Sequence, residues 1–225
     1  MPDVTGSFDD VKGHNEQLIR KMLEMAVYLA PWPTAPDILT ITDATGTNLV
    51  IPDVYKSVGM TSKEDGAALT PSMDMSEVTA YGYGAAVRRD IQNRSLDIAF
   101  TMLESKRLNF EVYHGIDLAG VKAGLTKNEL SYDQPDRPDT KYWRALFIGR
   151  DGQGAQSKYH AEFLPKTTLT DVEGIAWSET DPIAYGVTMA ADMDSQVGTS
   201  QRTFWAGPGL NTALITAMGF TRATS

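Results

Sequence analysis

The residues from Ser95 to Glu104, SLDIAFTMLE, constrain this chain more than any other stretch. Leu96, Ile98, Phe100 and Met102 recur at every second position, so as a strand they point to one face, while Asp97, Ala99 and Thr101 point to the other. A strand of this kind leaves one apolar face to be covered, and the cover follows directly in the chain. Leu108 and Val112 lie four apart on one side of a short helix. Ser105 is placed to cap its first amides, and Gly115 to close it in the left-handed conformation.

The remainder reads as a series of short strands and turns. Residues 1–14 have no periodicity and are expected as an N-terminal arm. From Asn15 the pattern Leu18, Ile19, Met22, Leu23, Ala26 is helical, yet MAVYLAP serves equally well as a strand, and Pro31, Pro33 and Pro36 stop either one. Residues 31–83 form a long excursion, expected to project from a domain spanning 15–190. Within it, Ile38 to Thr42 reads as a strand, and Asp65–Gly66 as a hairpin turn. YWRALFIGR (142–150) is apolar on both faces, which suggests an inner strand. KYHAEFL (158–164) is its hairpin partner, ended by Pro165, with 167–171 as an edge extension. Val172 to Trp177 and Ala184 to Ala190 give a further strand pair. Residues 191–225, rich in Gly, Thr and Ser, are expected as a C-terminal arm that orders against a partner. Alternating strands with one clear helix predict a mainly β fold: an antiparallel sandwich or barrel with a flanking α-helix, a projecting hairpin loop and extended terminal arms.

Several functional classes are disfavoured by the residues themselves. The chain has 225 residues, no cysteine and a net charge of −9, so thiolate chemistry and disulfides are excluded and phosphate binding is opposed. No apolar run approaches the roughly 20 residues that span a bilayer, and the polar, acidic N-terminus is not a signal peptide. His14, His114 and His160 lie in unrelated elements without zinc spacing; His114 sits at a helix end where a cation is favoured by the dipole. Asp192, Asp194 and Ser195 fall short of a calcium loop, and no nucleophile elbow or phosphate loop is present. No catalytic residue, cofactor or metal is expected. Arg88, Arg89 and Arg94 form the densest positive patch, either a surface that pairs with an acidic neighbour or a solvated face.

The order VGMTSKEDG (58–66), SEVTAYG (76–82), RRDIQNRSLDIAFTMLESKR (88–107) and a helix containing Tyr113 resembles the major tail tube proteins of long-tailed actinobacterial phages. The likeness runs from Leu18 to Gly209, is weakest in 31–55 and 119–141, and includes ALFIGRDG, LPK (164–166) and SETDPIAYGVTMAA (178–191). It implies that the strand around Met25 to Leu29 enters the core and that the 57–83 hairpin contacts a neighbouring ring. It further implies hexameric rings, stacked into a conduit for the genome. The subunit would be made in the host cytoplasm and end in the virion, with tape measure, tail tip and terminator proteins as partners and DNA passing without specific binding. Interface candidates are Asp65, Tyr81, Tyr83, Arg88, Arg89 and Arg94, and Asp97 is the lumen candidate. The alternatives are another ring-forming tail or secretion-tube subunit, or a carbohydrate-binding sandwich.

Overall fold

A computed structural model describes residues 6–64, 66–137 and 139–223. A short helix α1 (Phe8–Lys12) lies inside the expected N-terminal arm. Asn15 then caps a single 3-10 turn, its side chain accepting from the Gln17 amide at 3.0 Å. The chain enters the sheet as β1 (Glu24–Pro31), followed by β2 (Lys56–Ser57), β3 (Ala67–Val78) and β4 (Arg88–Met102). Helix α2 (Arg107–His114) leads to β5 (Tyr142–Asp151), β6 (Lys158–Val172), β7 (Tyr185–Ala191), β8 (Arg202–Ala206) and α3 (Thr212–Ala217).

All eight strands belong to one antiparallel sheet, ordered β2-β1-β5-β6-β7-β4-β3, with β8 added to β6. The expected two-layered core arises because this sheet closes over itself. Leu96, Ile98, Phe100 and Met102 of β4 bury against Val27 and Leu29 of β1 and Trp143, Ala145 and Phe147 of β5, with Val112 of α2 in the same cluster. Gly115 closes α2 at φ 67°, as expected. Ser105 does not cap it. Lys106 holds that position without a side-chain capping bond, and the Ser105 hydroxyl instead lies 3.1 Å from that of Tyr185.

The other face of β5 explains its two-sided hydrophobicity. Leu146 and Ile148 bury with Ala161 and Phe163 of β6 beneath Ala35, Ile38, Ile41 and Tyr55. Residues 31–55 therefore wrap the sheet instead of projecting from it. Ile38 to Thr42 forms no strand: Ile38 and Ile41, three apart, are both buried, and strict alternation cannot place both on one face.

β6 continues through Pro165 because the register slips by one residue there. Ala145 pairs with Leu164, but Trp143 pairs with Thr167, and the bulge accommodates a residue without an amide hydrogen. Across this bulge β6 exchanges β8 for β7 as its neighbour. After Val172 the ladder with β7 ends in one further bond, from the Glu173 amide to the Gly186 carbonyl, so 173–177 is not a strand and Trp177 is exposed. Within the expected C-terminal arm, β8 is ordered against β6 of its own chain, and Asp194 is fully buried.

Candidate functional site

With little in this chain pointing to chemistry, its functional surfaces are those the fold leaves unfinished. β3 ends the sheet and, among the described residues, pairs with β4 alone, so its outer edge of twelve residues is open. Pro71 sits in this strand, where an edge tolerates a missing donor. Residues 60–62 run beside the end of β4, with the Leu103 amide bonded to the Met60 carbonyl and the Ser62 amide to that of Thr101. They anchor the hairpin to the body. The Met60 amide donates to Glu104 at 2.7 Å, and Asn109, fully buried, donates to the carbonyls of Val58 and Glu104. Lys106 also bonds Glu104, and together these bonds hold its carboxyl below the usual glutamate range. Asn109 escaped sequence reasoning because a polar residue in a short helix gives no periodic signal.

Beyond this anchor the β3–β4 hairpin is exposed from Ser72 to Arg94, apart from half-buried Ser76 and Ala86. Tyr81 and Tyr83 stand at its turn, fully and largely exposed. Arg88 bonds Asp90 at 2.7 Å and Arg89 bonds Glu77 at 2.7 Å, so both are neutralised within the hairpin. Arg94, opposite Met73, has no ion-pair or hydrogen-bond partner for its side chain among the described residues. The expected basic patch is thus reduced to one uncommitted cation. Asp65 lies outside the described residues; β3 begins at Ala67, and the turn of the β3–β4 hairpin is at 79–87.

Asp97 lies elsewhere, on the side of β4 turned away from the core. Its cross-strand neighbours are Thr70 on one side and Ala190 on the other, and Ala190 pairs in turn with Thr168. Ala99 and Thr188 lie in the next row on this face. The resulting surface is small and polar, with an acid and no base among these residues. Sequence alternation put Asp97 on the face opposite Leu96 but could not assemble this row, because its members come from four strands distant in the chain.

Asp192, Asp194, His114 and His160, singled out in the sequence, serve the fold, as does Glu162. Asp194 bonds Arg144 at 3.3 Å and accepts from the Trp32 indole at 3.1 Å. Asp192 accepts from the Thr168 hydroxyl. His114 packs its ring near Tyr113 and Tyr132, and burial lowers its pKa, opposing the cation that the helix end would favour. Glu162, 6% exposed, accepts from His160, Gln201 and Thr203. Burial raises its pKa, but these bonds outweigh burial and leave it below the usual range.

A comparison with curated protein sequences gave no match. Among solved structures, the chain is similar to the tail of an empty gene transfer agent particle of C6 symmetry, at 10% identity over 74% of this chain and 89% of the other, with a TM-score of 0.34. It is also similar to a sheath–tube complex of an extracellular contractile injection system in its extended state, at 11% identity over 89% and 98% of the two chains, TM-score 0.43. A crystal structure of Hcp protein gives 10% identity over 80% and 97%, TM-score 0.30. The family model described as phage tail tube protein matches residues 12–205. The chain belongs to the phage tail tube protein family and is a structural subunit of the virion's tail.

Proposed function

We propose that copies of this subunit join head to tail into closed rings, six to a ring, which stack into the conduit for the genome. The observation that carries this reading is the twelve-residue open edge of β3 beside the small, polar face around Asp97. An unpaired edge of that length is an aggregation hazard unless a neighbouring strand covers it, and closure by rotation removes every such edge. The face containing Asp97 then lines the bore, where an acid among the uncharged Thr70, Ala190 and Thr168 keeps phosphates from adhering. Tyr81, Tyr83 and the arginines of the hairpin meet a neighbouring copy, and the terminal segments contribute to stacking. Tape measure, tail tip and terminator proteins are the partners at the tube's interior and ends. The role is geometric, and no residue is assigned to catalysis.

Negative-stain electron microscopy of concentrated protein, with sedimentation alongside, tests the proposal. Hollow tubes of uniform width and regular axial repeat are expected, either spontaneously or on adding a tail-tip extract. Single rings that never elongate would favour a terminator role. A monomer whose melting temperature responds to sugars, and which never assembles, would favour a carbohydrate-binding module.

A further inference from the structure

The hairpin stays amphipathic outward as far as Met75 and Ile91, beyond which the Glu77–Arg89 pair takes over the same face, although only its base belongs to the core. Cross-strand partners share a face, and β3 pairs Leu69 with Ile98, Pro71 with Leu96, Met73 with Arg94 and Met75 with Ile91. The irregularity between Asp74 and Met75 takes up an extra β4 residue and keeps Met75 and Ile91 in step. The row that is buried at Leu96 and Ile98 therefore continues outward as Leu69, Pro71, Met73, Met75 and Ile91. There it is uncovered: Met73 is 51% exposed, Met75 45% and Ile91 61%. The opposite face carries Ser72, Asp74, Ser76 and Asn93. Apolar groups in register with a core row and without cover mark a surface completed by another molecule.

Charge identifies the occupant. Residues 67–94 contain three acids (Asp74, Glu77, Asp90) and three bases (Arg88, Arg89, Arg94), so the segment is neutral while the rest of the chain carries the whole net charge of −9. Copies of so acidic a subunit repel one another through their bodies, and a neutral apolar hairpin is the part that approaches without that cost. Arg94, on the apolar face and without a partner among the described residues, adds attraction toward an acidic body. We infer that the stripe Leu69, Pro71, Met73, Met75 and Ile91 is covered by a second copy of this chain, while the Ser72 and Asp74 face stays toward water. The inference rests on the tube reading and adds which face of the hairpin makes the contact.

Met73 and Ser72 are adjacent in sequence, exposed and on opposite faces, so Met73→Glu and Ser72→Glu apply the same charge change to the two surfaces. Both variants are expected to melt with the wild type. Met73→Glu should raise the concentration needed for tube formation by more than about tenfold, because a carboxylate would enter an apolar contact. Ser72→Glu should assemble as the wild type does, and Met73→Leu should restore assembly. Equal assembly of Met73→Glu and wild type, or a defect confined to Ser72→Glu, would overturn the face assignment and leave the tube reading intact. Wild-type protein that forms no tubes even with tail-tip extract would overturn both.

Discussion

Phe100 of β4 meets Phe147 of β5 edge to face, with ring centres 5.2 Å apart. Two strands, β6 and β7, lie between β4 and β5 in the sheet, so this contact crosses the interior and marks where the sheet closes over itself. Phe100→Ala should cost about 3–5 kcal/mol, since the rings that face it cannot collapse into the space. Urea denaturation should show a lower midpoint with an unchanged slope. A loss below about 1 kcal/mol, well under the usual cost of such a truncation, would mean that the two halves of the sheet do not pack as described.

The pair Arg144–Asp194 ties the chain after β7 to the start of β5. Asp194 is fully buried and Arg144 is 2% exposed, and the same carboxylate oxygen accepts from Trp32. Asp194→Asn removes the countercharge and leaves a buried guanidinium, at a cost of about 3–5 kcal/mol. The double variant Arg144→Met/Asp194→Leu removes both charges and should be the more stable of the two. Denaturation of both variants decides the matter, and a double variant no better than the single would refute the charge argument.

Legibility in the sequence followed alternation. β4, β5, the start of β6 and β7 each repeat apolar residues at period two or are apolar on both faces, and all were readable. The wrap over Leu146 and Ile148 was not, because Ala35, Ile38, Ile41 and Tyr55 are held by tertiary contact at irregular spacing. β8 was hidden because its five residues bury no side chain fully, and its place depends on pairing with Tyr159–Phe163. Asp97 was legible from its strand, whereas the row around it depends on registers that sequence does not contain.

Glu162 fastens β8 to β6, since Thr203 lies directly opposite it and Gln201 and His160 bond the same carboxylate. Its folded pKa is lowered, so its contribution is complete above the ordinary glutamate value of 4.5 and is lost as pH falls through the lower folded value. The protection of the β8 amides, taken relative to the intrinsic exchange rate at each pH, should therefore fall in acid. Glu162→Gln should show faster exchange at neutral pH and a flatter acid response. An acid response identical to that of the wild type would assign the effect to another group.

The hairpin's outer part should be removable without loss of the fold, but its anchor should not. Gly59 has φ +86°, and a Cβ there would lie 2.2 Å from the Glu104 carboxyl carbon, so Gly59→Ala should break the Met60–Glu104 clamp. Replacing residues 73–93 by a tight turn spares that clamp and the core row at Leu96 and Ile98. Thermal melting should place the truncated protein close to wild type and Gly59→Ala clearly below it, while electron microscopy should find no tubes from the truncation. Tubes of normal length would show that the hairpin is dispensable for stacking.

Asp97 tests the bore directly. Its neighbours Thr70, Ala190 and Thr168 offer nothing that binds a phosphate strongly, and the acid repels one. Asp97→Lys would place one cation per subunit along the DNA path at a site that is only half-buried, so assembly should survive. Genome release through such tubes should slow, and raised salt should restore its rate, because phosphate contacts weaken steeply with ionic strength. Release kinetics measured at low and high salt give the sign. Wild-type rates at both would place Asp97 away from the bore, and a salt-independent defect would point to altered packing of the strand instead of contact with DNA.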